Sequence, residues 1–126
     1  MNRTTQTVLL VDDNTLVRRG LRTLFESAGF VCSESQNGAE AIERVRELKP
    51  DLIVLDFSMP VMNGLEAAPL LKKTLPQTPI IMFTMFANPA LAKLAVAAGV
   101  TAVVSKDEAL TQLLPKAESL LKSTPD

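Results

Sequence analysis

Polar residues close four short apolar runs in this chain. Asp12 and Asp13 follow Val8–Val11, Asp56 follows Leu52–Leu55, Thr84 follows Ile80–Phe83, and Lys106 lies just beyond Ala102–Val104. Brought to one place, these residues would form a pocket of three carboxylates, a hydroxyl and an ammonium. At a separation of about 4 Å and an effective dielectric near 20, each carboxylate pair repels by about 4 kcal/mol. Such a cluster either takes up protons or binds a cation. Carboxylate oxygens suit Mg²⁺, and Mn²⁺ is an acceptable substitute. A carboxylate beside that ion can act as a nucleophile toward a phosphoryl group. Lys106 and the ion would stabilise charge on the transferring oxygens, and the Thr84 hydroxyl could bond to one of them.

The elements that must position these residues are also visible. Val8–Val11, Phe30–Cys32, Leu52–Leu55, Ile80–Phe83 and Ala102–Val104 are rich in β-branched residues and read as strands. The third and fourth runs are continuously apolar, as expected of strands covered on both faces. Between the runs lie helical patterns. Val17, Leu21, Leu24, Phe25 and Ala28 precede a stop at Gly29, and Ala41, Ile42, Val45 and Leu48 end before Pro50. Leu65, Ala68, Leu71 and Leu75 end at Pro76; Asn88 and Pro89 open an Ala-rich helix that ends at Gly99. Leu110, Leu113, Leu114, Ala117, Leu120 and Leu121 form the last apolar stripe. Pro69 and Pro115 interrupt the third and fifth patterns, where each predicts a kink or a late helix start.

Strict alternation of strand and helix predicts an α/β fold with a parallel sheet and right-handed crossovers. In such a sheet, ligands bind at the C-terminal edge of the strands. That is the edge to which all the polar residues above belong. No internal repeat or second domain is evident. We read residues 1–126 as one domain with its core over about 7–122, and Ser123–Asp126 as a tail or the start of a linker.

Composition excludes several functions. A net charge of −1 leaves no basic footprint, so direct nucleic-acid binding by this chain is not expected. The chain has no histidine, so it can be neither a phosphohistidine carrier nor a His-ligated metalloenzyme. The longest apolar runs fall far short of a membrane span. The one cysteine, Cys32, cannot form an internal disulfide, in keeping with a reducing cytoplasm.

The segments Leu9-Leu10-Val11-Asp12-Asp13-Asn14, Asp51-Leu52-Ile53-Val54-Leu55-Asp56, Met59-Pro60-Val61-Met62-Asn63-Gly64 and Ser105-Lys106 resemble the receiver domain of two-component response regulators. The resemblance runs from about Thr7 to Lys122. The run Val17-Arg18-Arg19-Gly20-Leu21 resembles the subfamily that often carries a C-terminal helix-turn-helix output domain. The resemblance implies a flavodoxin-like (βα)5 fold with strand order 2-1-3-4-5. It implies Asp56 as phosphoacceptor, Thr84 as switch hydroxyl and Lys106 as phosphate-binding cation. Asp13, Asp56 and the backbone carbonyl of Ser58 would bind Mg²⁺ directly, with Asp12 acting mostly through water. The donor would be a histidine kinase or His-phosphotransfer protein. The recipient of the signal would be a downstream protein target or a missing output domain, and the chain a monomer or phosphorylation-dependent dimer in the cytoplasm.

Two features depart from the family pattern. Met85 and Phe86 stand where a small residue usually follows the threonine, and Val103 replaces the aromatic residue whose ring usually reports phosphorylation. They motivate an alternative, a receiver-like interaction module that signals without phosphorylation. A third reading, an aspartate-nucleophile phosphatase, normally needs an acid two residues beyond the nucleophile, where this chain has Ser58. A phosphoacceptor is therefore expected, not a turnover enzyme. Plainer roles compete at single positions. Asp12 and Asp13 could serve only to start a helix, Asp56 could be a turn residue, Thr84 could merely end a strand, and Lys106 could be a solvated charge beside Asp107 and Glu108. Met85 and Phe86 could pack on the fourth helix. Pro60 and Gly64 read as loop-shaping, and Met59, Met62 and Cys32 as packing residues.

Overall fold

The structure, a computed structural model, describes residues 5–122. The tail expected at Ser123–Asp126 lies outside them, as does the side chain of Leu110. In chain order the elements are β1 (Thr7–Val11), α1 (Thr15–Ser27), β2 (Val31–Ser35), α2 (Gly38–Leu48), β3 (Leu52–Leu55), α3 (Gly64–Thr74), β4 (Ile80–Thr84), α4 (Pro89–Ala97), β5 (Ala102–Ser105) and α5 (Leu114–Lys122). A 3₁₀ turn over Lys106–Glu108 and a π-helical turn over Ala109–Leu113 lead into α5. The strands pair in parallel in the order β2-β1-β3-β4-β5, the doubly wound arrangement expected.

Alternate side chains of a strand point to opposite faces of its sheet. Leu9, Val11, Ile53, Leu55, Ile80 and Met82 pack with residues of α2, α3 and α4. Val8, Leu10, Leu52, Val54, Ile81 and Phe83 pack with Leu21 and Phe25 of α1 and Ala117 of α5. Helices thus cover both faces, and every residue of β3 and β4 is buried. This is why those two strands read as unbroken apolar runs. Among the described residues, no helix is long and apolar enough to cross a membrane.

The second strand differs from its expected bounds. Phe30 precedes β2 and packs edge-on against Phe25, with ring centroids 5.1 Å apart. The strand then continues through Ser33, Glu34 and Ser35, opposite Leu9, Leu10 and Val11. As an edge strand, β2 needs no continuous apolar character to extend its ladder, so its polar half carried no hydrophobic signal. The prolines behave differently from one another. The regular α5 begins only at Leu114, beside Pro115, whereas α3 runs from Gly64 through Pro69 to Thr74. Asn63 and Glu66 anchor α3 with a reciprocal capping box, and Ala67, Ala68 and Leu71 bury its inner face. Pro69 therefore neither delays nor stops the helix.

Candidate functional site

Sheet register sets the site. Val11 lies level with Leu55, and the Asp56 N–H donates to the Val11 carbonyl at 2.9 Å. Asp12 and Asp56 therefore leave the sheet side by side. Thr84 lies level with Ser105, so Lys106 emerges next to Thr84 at the same edge. Carboxylate oxygens of Asp12, Asp13 and Asp56 all lie within 4.8 Å of one another. Asp12 and Asp56 are buried, and Asp13 is exposed.

Lys106 Nζ lies 2.9 Å from Asp12 Oδ2 and 3.5 Å from Asp56 Oδ1. It also stands 5.9 Å from the centroid of the Phe83 ring. Lys106 is thus part of the carboxylate cluster and not a solvated partner of Asp107 and Glu108. The other oxygen of Asp12, Oδ1, accepts from the Asn14 N–H at 2.9 Å. Asn14, not either aspartate, caps α1, its Oδ1 accepting from the Val17 N–H at 3.0 Å.

Burial, followed by the neighbouring Asp12 carboxylate, pushes the Asp56 carboxyl up from 3.8 to about 6. Lys106 pulls in the opposite direction without cancelling this. The Ser58 N–H donates to Asp56 Oδ1 at 3.4 Å, so the chain after Asp56 folds back over the carboxyl. Gly64 closes that loop. Its N–H donates to the Phe57 carbonyl at 2.8 Å, and a Cβ at this position would stand 2.5 Å from the Asp56 carbonyl oxygen. Only glycine permits this approach of the α3 start to the backbone of Asp56.

Thr84 is fully buried, and its Oγ1 accepts from the Phe86 N–H at 3.1 Å. Met85 and Phe86 are exposed. The Phe86 ring meets Phe57 edge-on, with centroids 6.3 Å apart and planes at 78°. Phe86 therefore links the loops after β3 and β4. Val103 is partly buried against the α4-side core, where Met59 and Met62 also pack. Cys32 is buried in the opposite core.

One contact was not expected from the sequence. Arg18 Nη1 donates to the Asp12 carbonyl at 2.6 Å while its Nε donates to Glu34 Oε1 at 2.8 Å. The sequence singles out Arg18 only as one member of the run Val17–Leu21. The polar reach of β2, which carries Glu34, had no apolar signal to mark it.

Comparison with known proteins agrees with this fold. The family profile described as the response regulator receiver domain matches residues 8–118. A putative transcriptional regulator of Pseudomonas aeruginosa is 40% identical over 116 residues, covering 90% of this chain and 56% of that protein. The chemotaxis protein CheY of Thermotoga maritima is 39% identical over 93 residues, covering 73% of this chain and 78% of that one. The crystal structure of a LuxR-family two-component response regulator from Aurantimonas sp. SI85-9A1 superposes with a TM-score of 0.89 at 32% identity, covering 98% of this chain and 92% of that chain. The chain spans 56% and 46% of the first two curated relatives it matches. An acid cluster and a lysine at one sheet edge, in strand order 2-1-3-4-5, thus occur in a chain that belongs to the response regulator receiver domain family.

Proposed function

We propose that this chain accepts a phosphoryl group on Asp56 from a phosphohistidine of a histidine kinase or His-phosphotransfer protein. One observation carries the reading: Asp12, Asp13 and Asp56 cluster at the sheet edge with Lys106 Nζ 3.5 Å from Asp56. An Asp56 oxygen attacks phosphorus, and the P–N bond to the imidazole breaks. Its electron pair leaves with the imidazole nitrogen, which takes up a proton. In the metal-free chain, burial and the Asp12 carboxylate raise the Asp56 carboxyl to about 6, so it is largely ionised at neutral pH, and a bound cation would favour the ionised form further. Lys106 stands beside the acceptor oxygen to offset charge on the incoming group. Thr84 Oγ1 accepts from Phe86, which leaves its own proton available for a phosphoryl oxygen.

The all-oxygen donor set fits Mg²⁺ or Mn²⁺. Asp13, Asp56 and the Ser58 carbonyl would hold the ion directly. Both Asp12 oxygens already accept hydrogen bonds, which supports a water-mediated part for Asp12. Such an ion, when bound, supplies charge neutralisation on phosphoryl oxygens. The chain acts as a phosphoacceptor and not as a turnover enzyme, with Ser58 where a phosphatase would need an acid. We read residues 1–126 as one receiver domain that acts in the cytoplasm. The signal passes to a downstream protein target or to an output domain, with the chain acting as a monomer or a phosphorylation-dependent dimer.

Incubation with acetyl phosphate should label the parent chain only when Mg²⁺ is present, and Asp56→Asn should abolish the label. Labelling that persists at the same site in Asp56→Asn overturns the assignment. Val103 and the Phe57–Phe86 contact favour a second reading, an interaction module that does not depend on phosphorylation. That reading replaces the first if the phosphodonor with Mg²⁺ changes neither amide exchange nor oligomeric state.

A further inference from the structure

Two arginines of α1 converge on one carboxylate of β2. Arg18 Nε and Arg22 Nε donate to Glu34 Oε1 and Oε2 at 2.8 and 2.7 Å. Arg22 turns its remaining reach outward, to Glu26 at 2.9 Å. Arg18 turns inward, and its Nη1 donates to the Asp12 carbonyl at 2.6 Å. The Arg18 side chain is only 13% exposed, so these bonds are largely withdrawn from solvent. Glu34 is itself held from behind, because Arg44 donates to its carbonyl.

The bonded carbonyl has a particular place in the site. The β1–β2 ladder ends with the Asp12 N–H donating to the Ser35 carbonyl at 3.1 Å. The Asp12 carbonyl lies beyond that ladder, in the peptide joining Asp12 to Asp13. A peptide unit is planar, so anchoring its oxygen orients the plane that carries both neighbouring Cα atoms. A guanidinium bonded along two edges is a rigid fork, and Glu34 sets its direction.

We propose that Arg18, oriented by Glu34, is a positioning residue for the acid pair, fixing the Asp12–Asp13 peptide in the geometry that receives a divalent cation. The proposal rests on the reading of the cluster as a cation site given above. A guanidinium acting only as a nearby positive charge opposes a bound cation, so its removal would tighten metal binding. A guanidinium that positions the ligands has the opposite effect.

The test is Mn²⁺ affinity of the unphosphorylated chain, followed through the electron paramagnetic resonance signal of free Mn²⁺, with thermal midpoints measured alongside. Arg18→Met should weaken binding by about tenfold, in the range seen when groups supporting metal ligands are lost. Arg18→Lys keeps the charge but not the fork, and should recover part of the loss. Arg22→Met removes an ion pair to the same Glu34 and should stay within about twofold of the parent. If Arg18→Met does not fold, Arg18→Lys carries the comparison and must bind more weakly than Arg22→Met. Equal or tighter binding in the folded Arg18 variants overturns the proposal. So does a loss in Arg22→Met as large as that in Arg18→Met. A parent chain that binds no Mn²⁺ overturns the cation-site reading itself, and the proposal with it.

Discussion

Asp56 owes its raised pKa to two neighbours of its charge, a buried setting and the Asp12 carboxylate. In the unfolded chain the group titrates near 3.8, and in the folded chain near 6. The folded state therefore binds more protons between those values. The contribution of this carboxyl to stability is full below the lower value and is lost as pH rises through the upper one. Asp56→Asn cannot ionise and escapes the loss. In metal-free buffer near pH 7.5 it should be more stable than the parent by about 3 kcal/mol, and the gap should close toward about pH 4. Urea unfolding in the presence of a chelator at both pH values measures this. A gap of equal size at both would mean that something other than ionisation of Asp56 separates the two proteins. Thr84 and Val103 show a different kind of residue effect. The Thr84 hydroxyl is buried, and on the neighbouring strand Val103, partly buried against the α4-side core, stands where the resemblance implies an aromatic ring.

At the scale of elements, the loop from β3 to α3 carries the local constraint. Val61 has a φ of 71°, in the left-handed region, and is 88% exposed. The Met62 N–H donates to the Pro60 carbonyl at 2.7 Å, closing a tight turn about Val61. A β-branched residue is strained there, while the surrounding Asp56–Gly64 contacts hold the turn in place. Glycine adopts this conformation freely, although it also loosens the unfolded chain. Val61→Gly should therefore raise stability by about 0.5–1 kcal/mol, the left-handed strain less the added entropy. Chemical denaturation reads the change, and a loss of stability would show that Val61 is not strained. The capping box of α3 and the passage through Pro69 belong to the same scale. A well-anchored first turn and a buried inner face outweigh one missing backbone hydrogen bond.

For the molecule as a whole, the site exists only when the sheet is assembled. Asp12 and Asp13 come from the end of β1 and Asp56 from the end of β3, with Lys106 supplied by the far side of β4. A cation that binds this cluster binds the folded state and not the unfolded one. Mg²⁺ at about ten times its dissociation constant should add about 1.4 kcal/mol of stability. Thermal midpoints across a Mg²⁺ series test this, with Asp13→Asn combined with Asp56→Asn as the comparison. An equal rise in that double variant would place the ion elsewhere.

The sequence alone determined the alternation of strands and helices, the carboxylates that end β1 and β3, and the glycine that closes the loop beside Asp56. These are local signals, because hydrophobic periodicity, caps and turn residues act over a few positions. Tertiary structure decided the rest. It extended β2 through Ser33–Ser35, because pairing with one neighbour needs no apolar run. It set the distances of Lys106 to Asp12 and Asp56, whose company the sequence already suggested, placed Phe86 against Phe57, and brought Arg18 to the Asp12 carbonyl. Each of those contacts joins separate elements, and its partner is chosen by sheet register and helix packing, which no short stretch of sequence encodes.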